Sequence, residues 1–392
     1  MLQRRVSLRA VKFAACSLLA LGLLPPLAPA RGDAFQDAAA AAEEAAPSVE
    51  ERLALLLESA LEGSPVPGAI VGIAHHGEPI QVAARGLRKA RRGVAITAGD
   101  LVHIGSCTKA MTAVLAARFV DRGLLGWDST LEEVLPELAG AIHESFRGVT
   151  LHDCLTHTAG VQANCSQWFA FGRLPLVKRR LALAEVNLQA GTEREIGKEF
   201  EYSNLGYMLA GCFLERVGQS TWEELIAKEV FEPLGMTSAG FGPPNTKDEV
   251  DQPWGHVIRG GAALHRQTDN AEALGPAGRV HLTVEDWSRF ALQFTDAATA
   301  ADPGDTPFLS ADSRAKLVEV RANRYACGWG VLGTGAVLRH SGSNTMWFAT
   351  VHVQPEDGLA CFAAVNAAGG EASEVVGGMI TGLLRIDREA RR

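Results

Sequence analysis

The stretch "IGSCTKAMTAVLAARFVDRG", residues 104–123, decides how the chain folds and where its chemistry sits. Met111, Val114, Leu115 and Phe119 recur at helical spacing and Gly123 ends the run, which predicts a buried helix. Its first turn carries Ser106 and Lys109, three residues apart and therefore on one face. A helix start offers unpaired backbone N–H groups and a partial positive charge, and both favour an alkoxide on a serine and an oxyanion beside it. A lysine among apolar neighbours loses hydration, its pKa falls, and the neutral amine can take the serine proton. The plainer alternative is a capping serine with a lysine reaching to solvent, and this element alone favours it. A second S-x-x-K, Ser313 to Lys316 in "LSADSRAKLVEV", has Ser310 as a predicted helix cap and reads as part of a charged, exposed helix without chemistry.

Two further elements shift the balance. "FEYSNLGYMLAG" (200–211) holds Tyr202, Ser203 and Asn204 just before an apolar helical run, in a chain with only three tyrosines. A phenol beside an amine can pass protons, and an amide can orient a substrate carbonyl or Lys109. "LRHSGSNT" (338–345) places His340 and Gly342 at a strand end, where glycine would let a substrate lie close to that edge. His75-His76-Gly77 also matches H-x-G and reads as an ordinary hairpin turn.

Around these elements the pattern is that of an α+β fold. "SVEERLALLLESALEGS" (48–64) predicts a helix capped by Ser48 with Glu51 three residues on, and Leu53, Leu56, Leu57 and Leu61 on one face. Apolar runs at 68–74 and 79–86, then at 328–340, 346–355 and 359–366, predict strands at both ends of the chain. A closing helix is expected over 371–390. Helical pattern fills about 110–315. An antiparallel sheet built from both termini, flanked by helices and carrying a large, mainly helical insertion, follows. The loops 164–176 and 243–275 have no assigned place.

Residues 1–30 differ from the rest. Arg4, Arg5, Arg9 and Lys12 precede the apolar run 13–24, and Ala-Pro-Ala follows at 28–30, the layout of a secretory signal. The Ala-rich segment 31–47 reads as a linker to a domain spanning 48–390. These features predict a secreted or periplasmic protein with no membrane span once the signal is cleaved. Removing four cations leaves 33 Lys+Arg against 45 Asp+Glu, which argues against nucleic-acid partners. Six cysteines lie beyond the signal, and an exported protein could pair some of them, Cys154 and Cys165 being nearest in sequence. No Cys/His spacing suggests zinc.

Taken together, "IGSCTKAMTA", "LHDCLTHTAGV", "FEYSNLGYMLAG", "VFEPLGM", "LGPAGRVHLTVEDWSRFA" and "HSGSNTMWFATVHV" resemble, in order, the conserved blocks of the serine β-lactamase and penicillin-binding-protein superfamily. The likeness is to its class C side, which includes D-stereospecific peptidases and esterases, and it covers about residues 50–385. It implies that Ser106 is the acylated nucleophile and that Lys109 and Tyr202 share the general-base role. Asn204 falls in the second motif, and His340 and Gly342 in the third. The backbone N–H groups of Ser106 and Ser343 would form the oxyanion hole. No metal or organic cofactor is implied. His157, in "LTHTAG", matches a position that looks structural and stays outside the predicted site.

Two departures from that pattern matter. Class C β-lactamases carry lysine where this chain has His340, and histidine there resembles the peptidase and esterase branches. An unperturbed histidine titrates near pH 6.5, so His340 is expected to act as a conditional cation for a substrate carboxylate. Cys107, second in the S-x-x-K element, points about 100° away from Ser106 on a helix and reads as a packed residue. The expectation is an exported serine hydrolase acting on a small-molecule or peptide substrate, a D-amino-acid peptide or small ester ahead of a β-lactam. A β-lactamase and a non-catalytic cell-wall or partner-binding module are the alternatives.

Overall fold

Ser48 opens the described part of the chain with a reciprocal cap. Its hydroxyl accepts from the Glu51 N–H at 3.2 Å, and the Glu51 carboxylate accepts from the Ser48 N–H at 2.8 Å. This starts α1 (Val49–Leu61), which buries Leu53 and Leu57. The computed structural model describes residues 47–301, 307–333 and 337–392. The predicted signal and nearly all of the Ala-rich linker lie outside the described residues. Among the described residues no helix is long and apolar enough to cross a membrane.

The sheet combines both ends of the chain, as expected. Strands β1 (Gly68–His75) and β2 (Gln81–Gly86) come from the N-terminal side. Strands β3 (Gly330–Leu332), β4 (Val337–Ser343), β5 (Phe348–Gln354) and β6 (Leu359–Val365) come from the C-terminal side. They form one antiparallel sheet in the order β2-β1-β6-β5-β4-β3. β1 is buried along its whole length because both faces of the sheet are covered. Its residues alternate between two cores. Ala69, Val71 and Ile73 pack with α1 and the closing helix, Gly370–Ala390. Ile70 and Ala74 face the large helical core instead.

In that second core lies α2 (Thr108–Asp121), preceded by a 3₁₀ turn, Gly105–Cys107. The predicted single helix is thus a tight turn that carries Ser106, followed by an α-helix that carries Lys109. Gly123 stops it at φ 69°. α3 (Asn204–Gly218) lies alongside, capped by the Ser203 hydroxyl. The insertion also contains strands that the sequence did not suggest. Gly255–Arg259 and Ala262–Arg266 form a hairpin over a Gly260-Gly261 turn, inside the stretch read as loop. Val102–His103, Val280–Leu282 and Gly240–Phe241 form a small sheet beside the 3₁₀ turn.

The six cysteines among the described residues are free and buried, so Cys154 and Cys165 do not pair. Ser313 is also buried rather than exposed, and its hydroxyl donates to Asp121 at 2.6 Å. That second S-x-x-K ties two helices together, consistent with its lack of a chemical role.

Candidate active site

The 3₁₀ turn at Ser106 exists because two backbones almost touch. Gly105 has φ 49°, and a Cβ built on it would lie 2.3 Å from the Ser343 nitrogen. A Cβ on Gly342 would lie 2.0 Å from the Ile104 oxygen and 2.5 Å from the Ser106 nitrogen. No side chain fits at either position. The end of β4 therefore runs directly against the turn that carries Ser106. His103 supports this turn from below: its Nδ1 accepts from the Gly105 N–H at 3.1 Å, and its Nε2 lies 3.1 Å from Asp269. Asp269 also accepts from Asn344 at 2.8 Å, so one buried carboxylate braces both the turn and the loop after β4. Neither His103 nor Asp269 stood out in the sequence.

Lys109 is fully buried. Its Nζ makes three short contacts: Asn204 Oδ1 at 2.7 Å, the Ala277 carbonyl at 2.7 Å and Ser106 Oγ at 3.1 Å. None of the three partners carries a charge. Burial without a counter-ion lowers the Lys109 pKa to about 7.

In the neutral form of the amine, counting protons gives the direction of one bond. A neutral amine has two N–H groups and one lone pair. The Ala277 carbonyl can only accept. Asn204 presents its oxygen to Lys109 because its Nδ2 donates to Asn164 at 2.9 Å. These two acceptors take both N–H groups. The lone pair is left for Ser106, the only partner of the three that can donate.

Tyr202 completes the group. Lys109 Nζ lies 4.9 Å from the centre of its ring. Burial pushes the Tyr202 phenol well above its ordinary value, against an opposing pull from a Ser106 side-chain hydrogen bond. Tyr202 is therefore a protonated phenol near neutral pH, suited to passing protons rather than to acting as an anionic base. That narrows the shared base role expected from the sequence.

The structure overturns the expected charge of His340. The ring is buried, and its Nε2 shares a hydrogen bond with the Tyr325 hydroxyl at 3.0 Å. Burial first and Lys109 second lower its pKa to about 3, slightly offset by the Ser341 backbone. His340 is neutral throughout the working range and cannot act as a conditional cation. Cys107 points away from Ser106, with its sulfur 3.5 Å from the His340 carbonyl oxygen, and burial pushes its thiol pKa up. It is a packed residue, as expected.

Ser106, Lys109, Tyr202, Asn204, His340, Gly342 and Ser343, separated by up to 237 positions, thus meet around one turn. Sequence reasoning missed the Ala277 carbonyl, Asn164 and Tyr325. Ala277 lies in the family-like block "LGPAG", but a backbone oxygen has no sequence signature. Among the described residues no cluster of three or more His, Cys, Asp or Glu side chains could hold a metal ion.

The family model for Beta-lactamase matches residues 53–381. The chain belongs to the β-lactamase family. As a β-lactamase-family protein it is a serine hydrolase with an α+β, transpeptidase-like fold. Penicillin-binding protein 4 of Amycolatopsis lactamdurans is 28% identical over 339 residues, covering 79% of this chain and 82% of that protein. The solved D-amino acid amidase of Ochrobactrum anthropi SV3 shares the fold at TM-score 0.70 and 17% identity, covering 88% of this chain and 99% of that one. EstCE1, a hydrolase with promiscuous acyltransferase activity, does so at TM-score 0.70 and 18% identity, covering 86% and 98%.

Proposed function

We propose that the chain is an exported hydrolase that forms an acyl-enzyme on Ser106 with small esters or D-amino-acid amides and peptides. The observation that carries this reading is the proton count at Lys109: a buried amine whose lone pair has only the Ser106 hydroxyl to meet. Ser106 Oγ bonds to the substrate carbonyl carbon as its proton moves to Lys109 Nζ. The oxyanion that forms lies against the backbone N–H groups of Ser106 and Ser343. Collapse breaks the bond to the leaving group, which takes the proton back through Tyr202. Water then adds to the acyl carbon, gives up its proton along the same route, and releases the acid and the Ser106 hydroxyl.

The neutral His340 favours substrates without a carboxylate beside the scissile bond, because the third motif offers no cation for one. A short p-nitrophenyl ester and a D-alanine p-nitroanilide should each be hydrolysed with kcat/KM at least about tenfold above that for a chromogenic cephalosporin. A cephalosporin turned over as well as either would put the β-lactamase reading first.

Export rests on the basic start and short apolar run of residues 4–24. N-terminal sequencing of the native protein should find a mature terminus near Arg31. An intact Met1 in a cytoplasmic fraction would rule export out.

A further inference from the structure

His157 lies outside the catalytic group, yet it holds the chain on both sides of Tyr202. Its carbonyl oxygen accepts from the Glu201 N–H at 2.9 Å, and its Nδ1 accepts from the Ser203 N–H at 3.0 Å. Its ring lies 4.3 Å from the Tyr202 ring. To turn its carbonyl and its imidazole towards the same segment, His157 adopts φ 61°, a left-handed conformation uncommon for a residue with a side chain. Neighbouring contacts hold the turn in that shape. The Thr158 N–H donates to the Asp153 carbonyl at 2.9 Å, and Asp153 pairs with Arg321 at 3.0 Å.

The Nδ1 bond requires a lone pair there, so the imidazole must be neutral with its proton on Nε2. Its surroundings enforce this. The residue is 1% exposed, and its ring packs among Phe200, Tyr202, Tyr207 and Tyr325. Burial, Lys109 and His340 all hold its pKa well below the ordinary histidine value.

We propose that His157 is a positioning residue for Tyr202, its carbonyl and Nδ1 clamping residues 201 and 203 so that the phenol stays beside Ser106 and Lys109. The proposal rests on the reading of Tyr202 as the proton carrier. A 1 Å error in such a group can cost about 100-fold in rate, so loosening the clamp should be felt in kcat.

Two amides separate positioning from bulk packing. Asparagine places its Oδ1 where Nδ1 stands and tolerates left-handed φ. Glutamine carries its carbonyl one carbon further and loses the bond to Ser203. On a neutral fluorogenic ester, His157→Asn should keep kcat within about threefold of wild type. His157→Gln should lose about 30-fold in kcat, with KM within about twofold. In a Tyr202→Phe background the gap between the two variants should shrink to under about threefold, because a clamp on an absent hydroxyl has nothing left to position.

Equal losses in the two variants, or a gap that persists in Tyr202→Phe, would overturn the proposal. Should His157→Gln fail to fold, His157→Asn alone decides: a 30-fold loss there overturns it. Tyr202→Phe at wild-type rate would instead refute the Tyr202 reading, and that single variant reveals it separately.

Discussion

Lys109→Met should lower kcat/KM for a neutral ester by about 1,000-fold, the middle of the range for losing a general base. It should do so with the fold retained, as read by circular dichroism, and with a modest fall in melting temperature, because the Asn204 Oδ1 and the Ala277 carbonyl lose their buried donor. Methionine is close to lysine in length and apolar, so the site exchanges a buried amine for a group that needs no hydration. The pH profile carries a second signature. The amine acts only when neutral, and its pKa is lowered to about 7. Wild-type kcat/KM should therefore rise with pH, pass half-maximum near 7 and then level off. Lys109→Met should lose that limb. The elevated Tyr202 phenol adds no falling limb below the alkaline range. Neutral His340 adds no acid-side requirement, so matched neutral and carboxylate-bearing substrates should give profiles of the same shape. A wild-type rate that falls as pH rises through 7 would exclude Lys109 as the base.

Ser106→Ala should have the largest effect on turnover, taking ester hydrolysis down by about 10⁴-fold or more, to the level left by the oxyanion site and binding alone. Ser106 is not a capping residue here: the 3₁₀ turn and α2 show no side-chain cap at their starts. Its removal should therefore leave the fold intact, and circular dichroism and the melting curve should match wild type. Ser313→Ala should retain full activity, since that hydroxyl ties Asp121 to a helix remote in sequence from the reacting group. Activity that survives Ser106→Ala would leave the turn as scaffold only.

The parts of this protein legible in its sequence are those governed by local physics. The Ser48–Glu51 cap and the apolar runs of β1, β5 and β6 are written in consecutive residues, whereas the division of β1 between two cores is not. The three motifs were also legible, because each combines uncommon polar residues with the boundary of an apolar element. What escaped depends on contacts distant in sequence or on atoms that every residue shares. The Ala277 carbonyl is backbone, and Tyr325 meets His340 from a separate turn. The charge of His340 follows from burial, which a strand-end pattern does not reveal. The hairpin at 255–266 escaped because its strands are short and mix histidine and arginine with apolar residues. His157 reads from the sequence as structural, since what distinguishes it is two bonds to the neighbours of Tyr202 rather than chemistry of its own.

The most direct test of the central claim is the site of covalent modification. Wild-type protein, Ser106→Ala and Cys107→Ala would each be treated with a fluorophosphonate, and intact mass and peptide mapping would locate any adduct. The account predicts one adduct, on the peptide containing Ser106, in wild type and Cys107→Ala, and none in Ser106→Ala. An adduct that persists in Ser106→Ala, or that disappears in Cys107→Ala alone, would contradict it.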